Sequence, residues 1–148
     1  MAQGDVVSDD EDIVRVLFDP LYSTQHGRPA SSAFCQLDAS VSRTAVLSHD
    51  EIVKAFQDQR GTKGRSPVVM TCTVRVGHVS QVCQEAPSAG IAANVIEDPI
   101  LEPGPGEIEN PAHAVIRAWA VDDANVAKEL TKGMSKSLLR LGRLTPVL

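Results

Sequence analysis

The sequence predicts a single small α+β domain, in which a curved, mostly antiparallel sheet of about five to seven short strands carries two helices on one face. Short apolar segments rich in β-branched residues recur along the chain and favour strands. Only two segments, at about 49–59 and 123–141, have the apolar spacing of amphipathic helices. Strand and helix segments do not alternate regularly, and this order disfavours a doubly wound parallel sheet.

The length and composition are those of one globular domain. The chain has 148 residues, 43% of them hydrophobic and 22% charged, which is enough to bury most apolar side chains in one core. We expect residues 13–148 to form this domain. We expect residues 1–12 to be a disordered acidic N-terminus, because they include Asp5, Asp9, Asp10, Glu11 and Asp12. No apolar run approaches the roughly 18 residues of a membrane span.

The cysteines and the net charge bear on compartment and partners. The three cysteines are odd in number, widely spaced and without a C-x-x-C motif, so we expect reduced cysteines in a cytoplasmic protein. The N-terminus lacks the basic and apolar regions of a secretory signal. A net charge of -5 disfavours binding to a nucleic acid backbone, which needs a basic face. We therefore expect a protein partner, or a second copy of the chain, rather than a nucleic acid or a membrane.

The first half of the chain contains strand candidates and one helix. Apolar segments predict short strands at residues 13–18, 33–37 and 41–47. A polar loop at 21–32 separates the first two and is longer than the typical connection. Ser48 and Glu51 have the spacing of a capping box, which starts a helix that runs to about residue 59.

The second half adds strands and the other helix. Further strands are expected at residues 67–76, 79–83, 91–96 and 113–121. In the last of these segments, every second residue is an alanine or isoleucine, and these residues share one face of the strand. Such a face indicates the close approach of a helix. Asp123 provides an N-cap, and apolar residues then recur every four positions at Val126, Leu130, Met134 and Leu138. Gly142 is placed to end this helix, and Gly133 weakens it by about 1 kcal/mol relative to alanine.

The strongest site candidate lies at the exit of an acidic Pro/Gly loop at 97–112. Asn110 leads from this loop into the strand that starts at His113. His113 and Arg117 are four residues apart on that strand, so their side chains project from the same face.

The polar loop at 21–32 supplies further groups that could close over this face. Two imidazoles and two guanidiniums suit a phosphorylated or nucleotide-like ligand, because arginine binds the anion and histidine transfers the proton. The candidate catalytic residues are His113 and His26, and the candidate ligand-binding residues are Arg28, Arg117, Asn110 and Ser31. This hypothesis requires His26, Arg28, His113 and Arg117 to converge on one concave pocket. No cofactor and no metal site are predicted, because no two histidines share a ligand spacing on one element.

Other interpretations of the same residues remain open. In a purely structural one, His113 caps the Pro/Gly loop, and Arg117 is exposed and paired with Glu109 or Asp122. A nucleophile, base and acid set can also be drawn from Ser31, Ser32, His113 and Asp98, although the G-x-S-x-G elbow is missing.

Two functional hypotheses follow. The first is a non-enzymatic interaction or accessory protein that self-associates or binds a partner through a sheet edge or the C-terminal helix. The second is a small enzyme or binding domain for a phosphorylated or nucleotide-like ligand. The first is favoured, because the chain contains no complete catalytic motif.

Overall fold

The computed structural model describes residues 4–105 and 108–147. Its strands are β1 (Asp12–Leu17), β2 (Tyr22–Ser23), β3 (Arg28–Pro29), β4 (Ala39–Arg43), β5 (Met70–Arg75), β6 (Ile91–Glu97), β7 (His113–Ala120), β8 (Asp123–Lys128) and β9 (Arg143–Pro146). Its α-helices are α1 (His49–Thr62), α2 (Val76–Gln84) and α3 (Lys132–Leu141). These elements confirm the α+β class that the sequence predicts.

Seven of the strands form one antiparallel sheet. Its order is β6-β7-β4-β1-β5-β9, and β8 also pairs with β7. One edge of β7 pairs with β6 along most of its length. The other edge pairs first with β4, over residues 113–116, and then with β8, over residues 118–120. The hairpin of β2 and β3 stands apart as a second, two-stranded sheet.

Helices cover both faces of the sheet, not one as predicted. On the first face, α2 and α3 bury the main core, which includes Ile13 and Leu17 of β1, Cys72 and Val74 of β5, and Ile116 of β7. On the second face, α1 covers a smaller cluster formed by Val14, Val16, Ile52 and Val68. Side chains alternate between the faces of a strand, so both sides of β1 are buried.

The start of α1 confirms the predicted capping box. Ser48 Oγ accepts a hydrogen bond from the Glu51 N–H at 3.2 Å, and Glu51 Oε1 accepts one from the Ser48 N–H at 3.1 Å. The helix continues to Thr62, three residues beyond the expected end. Its first residue, His49, is half-buried and lies 2.7 Å from the hydroxyl of Thr71.

Three segments differ from the sequence prediction. Residues 33–37, expected as a strand, form turns and a bend. Residues 76–84 form α2 where a strand at 79–83 was expected, and the helix buries Val76, Val79, Val82 and Cys83. Residues 123–128, expected as the first turns of the C-terminal helix, form β8, and α3 begins only at Lys132 with Thr131 as its N-cap. A two-residue turn after β7 lets β8 fold back on it, and all six residues of β8 are exposed.

The acidic N-terminal segment makes contacts with the sheet. The sequence predicts disorder for residues 1–12, yet the Val7 N–H donates to the Val95 carbonyl at 2.8 Å, and the Glu97 N–H donates to the Asp5 carbonyl at 3.0 Å. Glu11 accepts two hydrogen bonds of 2.9 Å from Arg43. Residues 1–3 lie outside the described part of the chain. No helix within the described ranges is long and apolar enough to cross a membrane.

Candidate functional site

His113 and Ser40 are brought together by the pairing of β4 and β7. Ala114 and Ile116 lie in the core beneath α2 and α3, so His113 faces the opposite side of the sheet. Ser42 is directly opposite His113 in the register, and Ser40 is its diagonal neighbour on the same face. The imidazole turns toward this diagonal neighbour, and His113 Nε2 lies 2.6 Å from Ser40 Oγ.

Asp98 fixes the other side of the imidazole. His113 Nδ1 lies 2.8 Å from the Asp98 carbonyl oxygen and 3.3 Å from the Asp98 carboxylate. The Asp98 N–H also donates to the His113 carbonyl at 2.9 Å, which holds the two residues side by side. Carbonyl and carboxylate oxygens only accept hydrogen bonds, so Nδ1 carries the proton of the neutral imidazole. Nε2 is therefore an acceptor, and the Ser40 hydroxyl donates to it.

A cavity of about 190 Å³ opens where β1 and β4 diverge. We call it the Arg15 cavity. Its apolar wall is formed by Val14, Val16, Phe18, Leu21, Val41 and Phe56. Its polar groups come from Arg15, Gln36, Ser40 and Ser42. A largely apolar cavity with a few convergent polar groups is the usual form of a small-molecule site.

Arg15 is a buried cation on the wall of this cavity. The residue is only 5% exposed. Its guanidinium donates to the Ala33 carbonyl at 3.1 Å, to the Ser40 carbonyl at 2.8 Å and to Gln36 Oε1 at 2.8 Å. Burial lowers the pKa of Arg15 to about 10, so the group is still charged at neutral pH. In the described part of the chain, Arg15 forms no ion pair with a carboxylate.

Asn110, a predicted ligand-binding residue, holds the backbone in place. The side chain is 3% exposed. Its Nδ2 donates to Ser42 Oγ at 3.2 Å, and its Oδ1 accepts from the Ala112 N–H at 3.1 Å. Its own N–H and carbonyl pair with Ile100 across the Pro/Gly loop. Both of its side-chain atoms are thus engaged in fixing the turn that leads into β7.

Arg117 is paired with a carboxylate, as in the structural interpretation, but with a different partner from those expected. It projects from the same face as His113, as predicted, but its Nε donates to Asp38 Oδ1 at 3.1 Å. The expected partners were Glu109 and Asp122. Both members of the observed pair are partly exposed to solvent, so the pair contributes little stability.

The loop candidates lie elsewhere. His26, Arg28 and Ser31 line an open groove of about 640 Å³ together with Lys136 and Arg140 of α3. We call it the α3 groove. Since α3 packs on the first face of the sheet and His113 lies on the second, the structure does not bring His26 and Arg28 together with His113 and Arg117. The four predicted site residues are therefore divided between the α3 groove and the second face of the sheet.

Sequence reasoning missed Arg15 and Ser40. Arg15 lies in the strand predicted at 13–18, and a charged residue between Val14 and Val16 is itself a signal of a buried polar role. Ser40 falls between the strands predicted at 33–37 and 41–47, whereas it lies within β4. Asp98 and His113 were both named in the serine-based alternative, but with Ser31 and Ser32 as the candidate nucleophiles.

The cysteines offer no activated thiolate. Burial raises the pKa of Cys72 to about 12 and raises the pKa values of Cys35 and Cys83. A raised pKa keeps a thiol protonated and weakly nucleophilic at neutral pH. Within residues 4–105 and 108–147, no three His, Cys, Asp or Glu side chains are grouped so that they could hold a metal ion.

Comparisons with protein-family models, with curated proteins and with solved structures found no match to this chain.

Proposed function

We propose that this protein binds a small anionic ligand, carrying a carboxylate or phosphate group, in the Arg15 cavity. The observation that carries the proposal is the buried guanidinium of Arg15, which borders a cavity and whose hydrogen bonds within the described residues all go to neutral acceptors. The exposed cations of the α3 groove, Arg28, Lys136 and Arg140, are each solvated and give a weaker argument for a site.

The energetics of burial favour a bound anion. A buried charge without a counter-ion is destabilising by several kcal/mol, even after relaxation. The three hydrogen bonds of Arg15 occupy three of the five N–H groups of a guanidinium and leave two for a ligand. A carboxylate or phosphate would complete the hydrogen bonding and neutralise the charge.

The cavity limits the size of the ligand. A volume of about 190 Å³ slightly exceeds that of a cavity of about 150 Å³ that accommodates benzene. A short carboxylic acid or a small phosphate ester fits this space, whereas a complete nucleotide does not. The proposal therefore differs from the phosphorylated or nucleotide-like ligand expected from the sequence, both in the residues of the site and in the size of the ligand.

Thermal unfolding at constant ionic strength tests the proposal. We expect sulfate, phosphate or succinate, at about 100 times the dissociation constant, to stabilise the protein by about 2.7 kcal/mol, which raises the melting temperature by about 5 to 10 °C. Arg15→Met should abolish this shift. Arg117→Met is the matched control, because it removes a guanidinium that is already paired outside the cavity, and it should keep the shift. Equal shifts in both variants, or none in the wild type, would refute the proposal.

Self-association through β8 is a second candidate function. Every residue of this strand is exposed, and its Val126 is 42% exposed. One edge of β8 pairs with β7 over a short stretch, which leaves the other edge available to a strand from another chain. The C-terminal helix, the other expected surface, is less suitable because its apolar residues Met134 and Leu138 are already buried in the core.

Light scattering across a range of protein concentrations tests this second candidate. We expect a concentration-dependent dimer that Val126→Lys converts to a monomer, because a charge on an exposed edge strand disfavours pairing. Leu101→Lys is a suitable control, since Leu101 is also exposed but belongs to the Pro/Gly loop. A wild type that stays monomeric at millimolar concentration would exclude the candidate.

The cytoplasmic location expected from the sequence is part of the same proposal. It is supported by three cysteines that form no disulfide with one another. Fractionation of cells that express the full chain is the direct test.

A further inference from the structure

We infer that the Arg15 cavity is also a hydrolytic site for small esters, with Ser40 as the nucleophile and His113 as its general base. This inference rests on the proposed anion site, because Arg15 would hold the acid group of the substrate. The substrate class is a short ester whose acyl part ends in a carboxylate.

The first support is the geometry of the two reacting groups. Ser40 Oγ and His113 Nε2 are 2.6 Å apart, within the range expected for a nucleophile and its base. The Asp98 carbonyl selects the imidazole tautomer in which Nε2 is free to accept the serine proton. The His113 side chain is only 12% exposed, which limits competition from water.

A second pair of similar composition shows what is particular about the first. His49 Nε2 lies 2.7 Å from Thr71 Oγ1, but that hydroxyl also lies 3.5 Å from the Thr145 carbonyl, to which it can donate. The Thr71 proton therefore has another acceptor. Among the described residues, no carbonyl or carboxylate is hydrogen-bonded to His49 Nδ1, and the Asp50 carboxylate lies 3.8 Å from it. Of these two pairs, the Ser40 pair is the one that combines an available proton, a fixed base and a cavity.

The second support is the position of Arg15 next to the nucleophile. Its Nη1 donates to the carbonyl of Ser40 itself at 2.8 Å, and both residues line the cavity. A carboxylate that binds Arg15 inside this cavity would share the cavity with Ser40. An ester carbon a few bonds from that carboxylate can then reach Ser40 Oγ, and binding places it for attack.

The reaction balances without any further reagent. Ser40 Oγ attacks the ester carbon and forms a C–O bond while His113 Nε2 takes the serine proton. The bond to the leaving alcohol breaks, and the proton passes from His113 to that alcohol. Water then attacks the acyl-serine, gives one proton to His113 and releases the acid, and His113 returns the proton to Ser40. Asp98 is a positioning residue, and its carboxylate stabilises the imidazolium formed in each half of the reaction.

Methanol release from monomethyl succinate, followed by proton NMR with the full-length protein, tests the inference. We expect hydrolysis by the wild type, and a loss of at least about 100-fold in Ser40→Ala, since both attack and general-base catalysis are removed. Thr71→Val is the matched control, because it removes the hydroxyl of the second histidine pair, which lies outside the Arg15 cavity. It should retain activity within about threefold. Methyl butyrate lacks the carboxylate, so the wild type should hydrolyse it more slowly than monomethyl succinate. Arg15→Met should hydrolyse the two esters at equal rates.

A covalent label gives a readout that does not depend on the choice of ester. We expect a fluorophosphonate probe to modify Ser40 in the wild type, and succinate to slow this reaction. Catalysis is refuted if Ser40→Ala hydrolyses the ester as fast as the wild type and no label is found on Ser40. If succinate still gives an Arg15-dependent thermal shift in that case, anion binding stands. If Ser40 is labelled and both esters are hydrolysed equally without any succinate shift, the proposed anion site and this substrate class are overturned.

Discussion

His113 makes its hydrogen bond to Ser40, 2.6 Å away, although Ser42 is its direct partner in the β4–β7 register. Ser42 Oγ instead accepts a hydrogen bond from Asn110 Nδ2. The diagonal contact joins the imidazole to Ser40, and Ser40 lines the Arg15 cavity. The turn at Asn110 therefore has a role in the site without touching a ligand, because it fixes both Ser42 and the start of β7.

Asn110→Ala should destabilise the protein without abolishing anion binding. The substitution leaves the buried Ala112 N–H without its acceptor, and an unsatisfied buried donor costs about 1 to 3 kcal/mol. Urea unfolding should show this loss, while succinate still raises the melting temperature of the variant. Loss of the succinate shift with unchanged stability would instead support the ligand-binding role expected for Asn110 from the sequence.

Asp98→Asn should reduce the rate of ester hydrolysis without preventing it. The backbone carbonyl of Asp98 still accepts from His113 Nδ1 in this variant, so the required tautomer is kept. Only the charge that stabilises the imidazolium is lost. We expect kcat to fall by about tenfold with KM unchanged. This loss is smaller than the loss of at least about 100-fold expected on removal of the general base. A raised KM with unchanged kcat would show that Asp98 acts on substrate binding.

Gly142→Ala and Gly133→Ala should change stability in opposite directions. A Cβ at Gly142 would lie 2.7 Å from both Cys72 Sγ and Val74 Cγ1, and such overpacking costs about 1 to 3 kcal/mol. A Cβ at Gly133 would meet nothing closer than Thr131 Oγ1 at 3.8 Å, so alanine should stabilise α3 by up to about 1 kcal/mol. The melting temperatures of the two variants check this pair, and a decrease for Gly133→Ala would contradict it.

Cys72 should make the stability depend on alkaline pH. Burial raises the pKa of its thiol from 9.0 to about 12, so the unfolded chain loses the thiol proton first. The stability that the neutral thiol contributes is complete below about pH 9 and is lost as the pH rises toward 12. The free energy of unfolding of the wild type minus that of Cys72→Ala should be constant below pH 9 and fall by up to about 1.4 kcal/mol per unit above it. Other groups titrate equally in both proteins, and a constant difference to pH 11 would refute the shift.

Local signals in the sequence were sufficient for α1 and β7. The capping box of Ser48 and Glu51 acts within four residues, and the alternation along 113–120 reports directly on the two faces of a strand. They were not sufficient for β8. Val126 fits the four-residue spacing of the helix that follows, and only the pairing with β7 shows that it belongs to a strand. In α2, burial at 76, 79, 82 and 83 follows a helical period, but a short apolar segment such as 79–83 also fits a strand.

The site depends on contacts that no local pattern contains. Ser40 and His113 are 73 positions apart, and their contact requires the register of β4 on β7. Arg15 reaches Ser40 across the gap between β1 and β4, over 25 positions. Residue types alone identified His113 and Asp98 as reactive candidates. Their partner was missed because the serines of the polar loop had the more conspicuous sequence context.

The N-terminal segment has a consequence for handling the protein. Its residues 5–7 bond to the outer edge of β6, through the Val7 N–H and the Asp5 carbonyl, and they add a carboxylate at that edge. A sheet edge with free N–H and carbonyl groups is a template for aggregation. Trimming the segment as a dispensable acidic tail would uncover that template, so a shortened chain should precipitate more readily than the full one. The segment therefore keeps the protein soluble by covering this edge.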